Sequence, residues 1–292
     1  MTKCWTPPLQ TPPDPWDDAA WSRFGDRRDN GDWEASSTAP IITPAASAVV
    51  EPIAWLWEHR IPLGALTLLD GHPDTGKSTI TLDLAARLSG GRRMPDGSRG
   101  IDGATLLLST EDTLARPVRE RLEAAGANLD RVYGLEVKDE REPFGRPATF
   151  PEDVRILHEA IMHTDAKLVV IDPIMAHLSA VLSANADQEV RRALTPLVRV
   201  ATATGAAIVM VRHLRKPERG SKAKPTWLDG GGSSGGFGIV RAGLVATRDP
   251  DDDSICTLSQ TKHNYGELVR AVDYTFEKVP GTTVSRIRWL PR

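Results

Sequence analysis

The sequence predicts an α/β fold with a mostly parallel central sheet, helices on both faces and antiparallel hairpins at one edge. Three observations predict it. Near-continuous apolar runs recur at Ala65–Asp70, Ala104–Ser109, Arg131–Glu136, Lys167–Asp172, Ala206–Val211 and Gly243–Thr247. Between the first five lie helical patterns over Lys77–Ser89, Thr113–Ala125, Glu152–Thr164 and Asp187–Thr204. Apolar strands that alternate with helices belong to a parallel sheet covered on both faces. Beyond Gly243 the helices stop: "GLVATRDPDDDSICTLSQTKH" reads as two strands joined by an acidic turn, and Leu268–Glu277 and Thr283–Leu290 read as two more.

Taken from the start, residues 1–48 stand apart as a Pro/Trp-rich flexible tail ahead of a 49–292 α/β domain. The tail holds Pro7, Pro8, Pro12, Pro13, Pro15, Pro40 and Pro44 and the mixed charge run "FGDRRDNGDWE", a composition that cannot build a core. It also carries Trp5, Trp16, Trp21 and Trp33. These are either docking residues for a neighbouring subunit or another protein, or solvated linker residues.

The run Ala65–Asp70 leads directly into "GHPDTGKST", in which Gly71, Gly76, Lys77 and Ser78 fit G-x-x-x-x-G-K-[ST]. "STITLDLAARL" follows, with Ile80, Leu84 and Leu88 on one helical face. A strand, a glycine-rich turn and a helix N-terminus in this order form a phosphate cradle. The candidate nucleotide-binding set is Gly71, Asp74, Thr75, Gly76, Lys77, Ser78 and Thr79, with ATP and Mg²⁺ as the implied ligands. Lys77 would reach the β- and γ-phosphates and the Ser78 hydroxyl would ligate Mg²⁺.

Two further apolar runs end in acids. "LLLSTED" places Glu111 and Asp112 at a strand end, where Glu111 can orient and deprotonate water and Asp112 can cap the following helix. Alternatively both are first-turn acids that favour the helix dipole. "KLVVIDP" places Asp172 at the carboxyl end of its strand, where ligands bind in open α/β sheets, either as the second Mg²⁺ group or as a cap for the next turn.

Between residues 212 and 224 lie Arg212, Arg215, Lys216, Arg219, Lys222 and Lys224 against Glu218, a local charge of +5 in a chain of net charge −3. Such a loop either tracks the phosphates of single-stranded nucleic acid or is an ordinary solvated basic loop. Trp227 is either a stacking residue or packing at the loop base. The segment after Asp172, "PIMAHLSAVLSANADQE", offers only His177 as a polar tip. Asp249, Asp251, Asp252 and Asp253 lack the spacing of a calcium loop and, with Pro250, read as turn residues.

Composition sets limits on function. The chain has 292 residues, 40% of them hydrophobic, and its net charge of −3 excludes a basic nucleic-acid coat. No apolar stretch approaches the roughly 20 residues of a membrane span. Cys4 and Cys256 form no zinc spacing, and no leader pattern opens the chain, so it reads as a reduced cytoplasmic protein.

The motifs "GHPDTGKST", "LLLSTEDTLARPVRERLEAAGA", "LVVIDP", "AIVMVRHLRK", "GGSSGGFGIVRAG" and "SQTKHNYG" occur in this order. Over about Trp55–Phe276 the chain resembles the RecA-type P-loop ATPases of the RepA-like hexameric replicative helicase family, found on plasmids, phages and integrated elements. The resemblance implies Lys77 and Ser78 for phosphate and Mg²⁺, Glu111 as catalytic base and Asp172 as the second Mg²⁺ group. It implies His213 as a γ-phosphate sensor linked to a mobile loop, Arg241 as an arginine finger acting in the next subunit's site, and Lys262 as a second cation there. The resemblance implies a ring of six subunits, and the expected function is a ring-forming, ATP-driven motor on single-stranded DNA. Two other readings stand beside it: a filament-forming RecA-like recombination or repair ATPase, and a nucleotide-switched adaptor that binds a partner through its tail.

Overall fold

The computed structural model describes residues 42–138, 142–143, 145–179, 187–214 and 236–290. The chain divides into two units, Met1–Glu51 and Pro52–Arg292. In the first, the described residues include one 3₁₀ turn, Ala45–Ser47, where the Ser47 hydroxyl donates to Pro44 O at 2.8 Å. The tail tryptophans lie outside the described residues.

The second unit opens with a short hairpin of β1 (Trp55–Trp57) and β2 (Ile61–Pro62). It then runs through β3 (Leu66–Gly71), α1 (Lys77–Ser89), β4 (Ala104–Ser109), α2 (Val118–Ala124), β5 (Val132–Gly134), α3 (Val154–Thr164) and β6 (Ala166–Asp172). The remainder is α4 (Asp187–Thr204), β7 (Ala207–His213), β8 (Ala242–Arg248), β9 (Cys256–His263), β10 (Val272–Lys278) and β11 (Ser285–Leu290). Among the described residues nine strands form one sheet in the order β11-β10-β9-β8-β3-β7-β6-β4-β5. The six strands from β8 to β5 pair in parallel, and β9, β10 and β11 extend the β8 edge with antiparallel pairs. This is the predicted fold class.

The central strands are apolar because both faces are covered. Leu66, Leu68 and Leu69 of β3, Val169 and Ile171 of β6 and Ile208 to Val211 of β7 are all buried. Apolar positions recur along α1 with the helical period, and Ile80, Leu84 and Leu88 are buried in the core cluster.

Three elements differ from expectation. The β1–β2 hairpin, three and two residues long, is too short for a periodic signal; Trp57 fills a fully buried site there and donates from Nε1 to Asp96 Oδ2 at 2.8 Å. The helix expected from Thr113 begins at Val118, because Pro117 lacks an N–H and disfavours helix at Arg116, and Thr113 Oγ1 instead donates to Arg116 O at 2.9 Å in a turn. Asp112 therefore caps no helix: it pairs with Arg121 Nη1 at 2.7 Å.

His177 is the third correction. The sequence reads it as the polar tip of a loop, yet it is 1% exposed, and its Nδ1 lies 2.7 Å from Ala148 O. A carbonyl only accepts, so Nδ1 carries the proton. Burial pushes this imidazole below its ordinary value of 6.5. The unfolded chain takes up the proton near that value while the folded one resists it, so the neutral-form stability present above it is lost as pH falls below it. The thermal midpoint is expected to fall from pH 7 to pH 5, and His177→Asn, which keeps a donor for Ala148 O, is expected to show a smaller fall. Equal acid sensitivity in both proteins would remove His177 as the cause.

Candidate active site

Parallel pairing brings the ends of four strands to one rim. Gly71 of β3 lies opposite His213 of β7, and Ser109 of β4 opposite Asp172 of β6. At the carboxyl edge of an open α/β sheet, loops and helix N-termini face a common crevice.

The phosphate loop connects β3 to α1. Gly76 at its end has φ 79, the left-handed region in which glycine carries no steric cost. Gly71 is restricted by space: a Cβ there would lie 2.8 Å from Ala246 O and 2.7 Å from Thr75 Oγ1. Asp74 also has a positive φ, 62. Lys77, the first residue of α1, is 4% exposed and donates from Nζ to His72 O at 2.8 Å. Burial lowers the Lys77 ammonium from its ordinary value, opposed by the charges of Asp172, Glu111, Asp70 and Asp74. Thr75 Oγ1 also donates to His72 O, at 2.8 Å. Thr79 follows in the first turn of α1, half-buried.

Asp172 ends β6 and is 9% exposed. Desolvation pushes its carboxyl up; a hydrogen bond from Ser78 and the Lys77 charge pull it down, and the neighbouring Glu111 raises it further. A carboxylate and a hydroxyl in contact, with a second acid nearby, are hard oxygen donors that suit Mg²⁺. Among the described residues no group of three or more His, Cys, Asp or Glu is placed to hold a metal. The oxygens of a bound triphosphate would complete such a shell.

Glu111 lies two residues past β4 with its side chain 60% exposed, and its Oε1 is 3.6 Å from His213 Nε2. A cavity of about 500 Å³ opens beside Ser78, Glu111 and Asp172 and extends between Leu82, Leu107 and Val170. The candidate base therefore has room for water beside it.

Arg241 and Lys262 are neighbours at the opposite side of β3, on the β8–β9 pair. Arg241 precedes β8 and is exposed; Lys262 lies across from Gly243 and donates to Gly238 O at 2.7 Å. Burial, then the Arg241 charge, lowers the Lys262 ammonium.

The nucleic-acid set divides. Arg215, Lys216, Arg219, Lys222, Lys224 and Trp227 lie outside the described residues. Arg212 is corrected: it is 0% exposed, and its Nε and Nη2 donate to Asp70 Oδ1 and Oδ2 at 2.8 and 2.9 Å. Its guanidinium lies 4.5 Å from the Phe237 ring centroid. Arg212 and Asp70 face each other in the β3–β7 register, so the residue belongs to the sheet interior rather than to the basic loop.

Two contacts on the phosphate loop had no signal in the sequence. The Tyr274 hydroxyl donates to Thr75 O across a separation of 199 residues, and Arg248 donates to Asp74 O across 174. Neither falls in a motif; alternation along β10 marks Tyr274 only as an inward residue.

A phosphate loop between a parallel strand and a helix, with acids at the ends of two neighbouring strands, defines a RecA-like P-loop ATPase domain. The chain belongs to the AAA domain family, whose profile matches residues 39–219. It is 29% identical over 168 residues to the DNA repair protein RadA of Halalkalibacterium halodurans, covering 57% of this chain and 31% of that protein. It is 27% identical over 168 residues to the DNA repair protein RadA of Bacillus subtilis, with the same coverage. The chain thus spans about a third of the length of these curated relatives. Among the described residues no helix is long and apolar enough to cross a membrane.

Proposed function

We propose that the chain is the ATP-hydrolysing subunit of a ring-forming motor on single-stranded DNA, of the RepA-like replicative-helicase type. The observation that carries the reading is the approach of His213 to Glu111 at 3.6 Å. His213 ends β7, one residue before Leu214 and the basic run that starts at Arg215. A change at the catalytic base is thereby two residues from a segment able to contact backbone phosphates.

Lys77 would exchange His72 O for β- and γ-phosphate oxygens, and the backbone amides at the start of α1 would take the remaining charge. Ser78 and Asp172 would hold Mg²⁺, which when bound neutralises charge on the β- and γ-phosphates. Glu111 would orient the attacking water and accept its proton. The Nδ1 of His213 is buried and has no partner among the described residues, which leaves it available when Nε2 faces Glu111. Arg241 and Lys262, adjacent cations on the β8–β9 pair, suit a role in a neighbouring site, where a cation in trans stabilises transition-state charge.

A second reading is a RecA-like repair ATPase that forms filaments, and the likeness to two proteins named for DNA repair favours it. Both readings require DNA-coupled hydrolysis. Steady-state ATP turnover is expected to rise with single-stranded DNA, to lose that rise at higher salt, and to lose it when Arg215, Lys216, Arg219, Lys222 and Lys224 are neutralised together. A rate indifferent to DNA would sink both. Electron microscopy with a non-hydrolysed ATP analogue then separates closed rings from filaments.

A further inference from the structure

The phosphate loop is held by residues that lie beyond the 39–219 stretch matched by the AAA domain family. Tyr274 on β10 is fully buried, and its hydroxyl donates to Thr75 O at 2.5 Å. Burial pushes this phenol well above its ordinary value, so it remains a donor. Arg248, at the end of β8, donates from Nη2 to Asp74 O at 2.8 Å. Its Nη1 donates to Asp253 O in the acidic turn. That turn is itself ordered: Asp249 Oδ1 accepts from the Asp251 and Asp252 amides at 2.9 and 3.1 Å, and Asp252 Oδ1 accepts from the Ser254 amide at 2.9 Å. The aspartate run is a scaffold for Arg248.

The direction of these bonds matters. In a trans peptide the C=O and N–H point to opposite sides. Holding Asp74 O therefore sets the Thr75 N–H, and holding Thr75 O sets the Gly76 N–H. His72 O is already engaged by Thr75 Oγ1 and Lys77 Nζ. With φ of 62 at Asp74 and 79 at Gly76, the backbone curls into a concavity of the kind that binds anions. Phe276 closes its outer side: a Cβ on Gly76 would lie 2.5 Å from the Phe276 Cζ. Tyr274 and Phe276 meet edge to face, with centroids 5.9 Å apart.

We propose that Tyr274 and Arg248 are positioning residues for phosphate recognition, holding the carbonyls of Thr75 and Asp74 outward so that the Thr75 and Gly76 amides face the triphosphate before it binds. The inference rests on reading this loop as the triphosphate site. A glycine-containing loop left free would lose conformational entropy on binding, and that cost appears directly as lost affinity. The antiparallel extension β8–β10 is thereby a functional part of the nucleotide site.

The test is equilibrium binding of a non-hydrolysed ATP analogue and of inorganic tripolyphosphate, at fixed ionic strength and Mg²⁺, to the wild-type chain, Tyr274→Phe and Arg248→Met. Each variant is expected to weaken both ligands by roughly 3- to 10-fold, the range for one hydrogen bond removed. Arg248→Lys, which retains a donor and the charge, is expected to recover part of the loss. A purely structural role would lower the unfolding midpoint and leave both affinities unchanged, and that result overturns the inference. So does a loss confined to the ATP analogue, which would place these residues on the base or ribose. If Tyr274→Phe does not fold, the exposed Arg248 carries the test with the same readouts. Absence of any triphosphate binding by the wild-type chain would instead overturn the reading of the loop on which the inference rests.

Discussion

Glu111→Gln is expected to bind ATP as tightly as the wild-type chain and to hydrolyse it about 10²- to 10⁴-fold more slowly, the range for removing a positioned general base. The side chain is 60% exposed, so the exchange of a carboxylate for an amide of the same shape leaves the fold intact. The measurement is a single-turnover hydrolysis rate beside a binding isotherm for the same preparation. Turnover within about threefold of wild type would remove Glu111 from proton transfer, since such a ratio is under 1 kcal/mol of barrier. Loss of binding would instead assign Glu111 to ligand affinity. Lys77 provides the contrast: it is buried in the loop itself, so replacing it is expected to abolish binding and turnover together.

Arg212→Met is expected to cost about 3–5 kcal/mol of folding stability, because it leaves the Asp70 carboxylate without its bidentate partner in the sheet interior. Both residues are at most 1% exposed and lie side by side on β3 and β7. Against a usual total of roughly 5–15 kcal/mol, that loss takes a large share of the stability. Chemical unfolding of the single variant and of Arg212→Met with Asp70→Leu makes the measurement. The double variant is expected to recover part of the loss, since it removes the buried charge pair as a unit and strands neither member of it. A single variant within about 1 kcal/mol of wild type would show that the pair is worth little to the fold.

The Arg212 result bears on how far the sequence could be read. Six basic residues in 13 positions made one loop of them, and charge counting has no means of telling the residue still inside a strand from those after it. The distinction comes from β3: Asp70 lies across the sheet, 142 residues away in the chain. His177 failed as a loop tip for the same reason, since the Ala148 carbonyl that takes its proton comes from another segment. Asp112 was read as a cap from local spacing, and Pro117 with Arg121 decided otherwise. By contrast β4 (Ala104–Ser109), α1 (Lys77–Ser89) and α4 (Asp187–Thr204) have the expected bounds, because long stretches with one period carry their own signal.

By itself the sequence determined the fold class, the alternation that makes a parallel sheet, and the phosphate loop with acids ending two strands. All of these are written in apolar period, glycine placement and residues close in the chain, and local physics reads them directly. Only the tertiary structure decided the strand order that gathers Gly71, Glu111, Asp172 and His213 at one rim. It alone buried Arg212 against Asp70 and brought Tyr274 and Arg248 to the phosphate loop. Those pairings join residues more than a hundred positions apart, and their energy comes from burial and hydrogen bonds that exist only once the sheet is assembled.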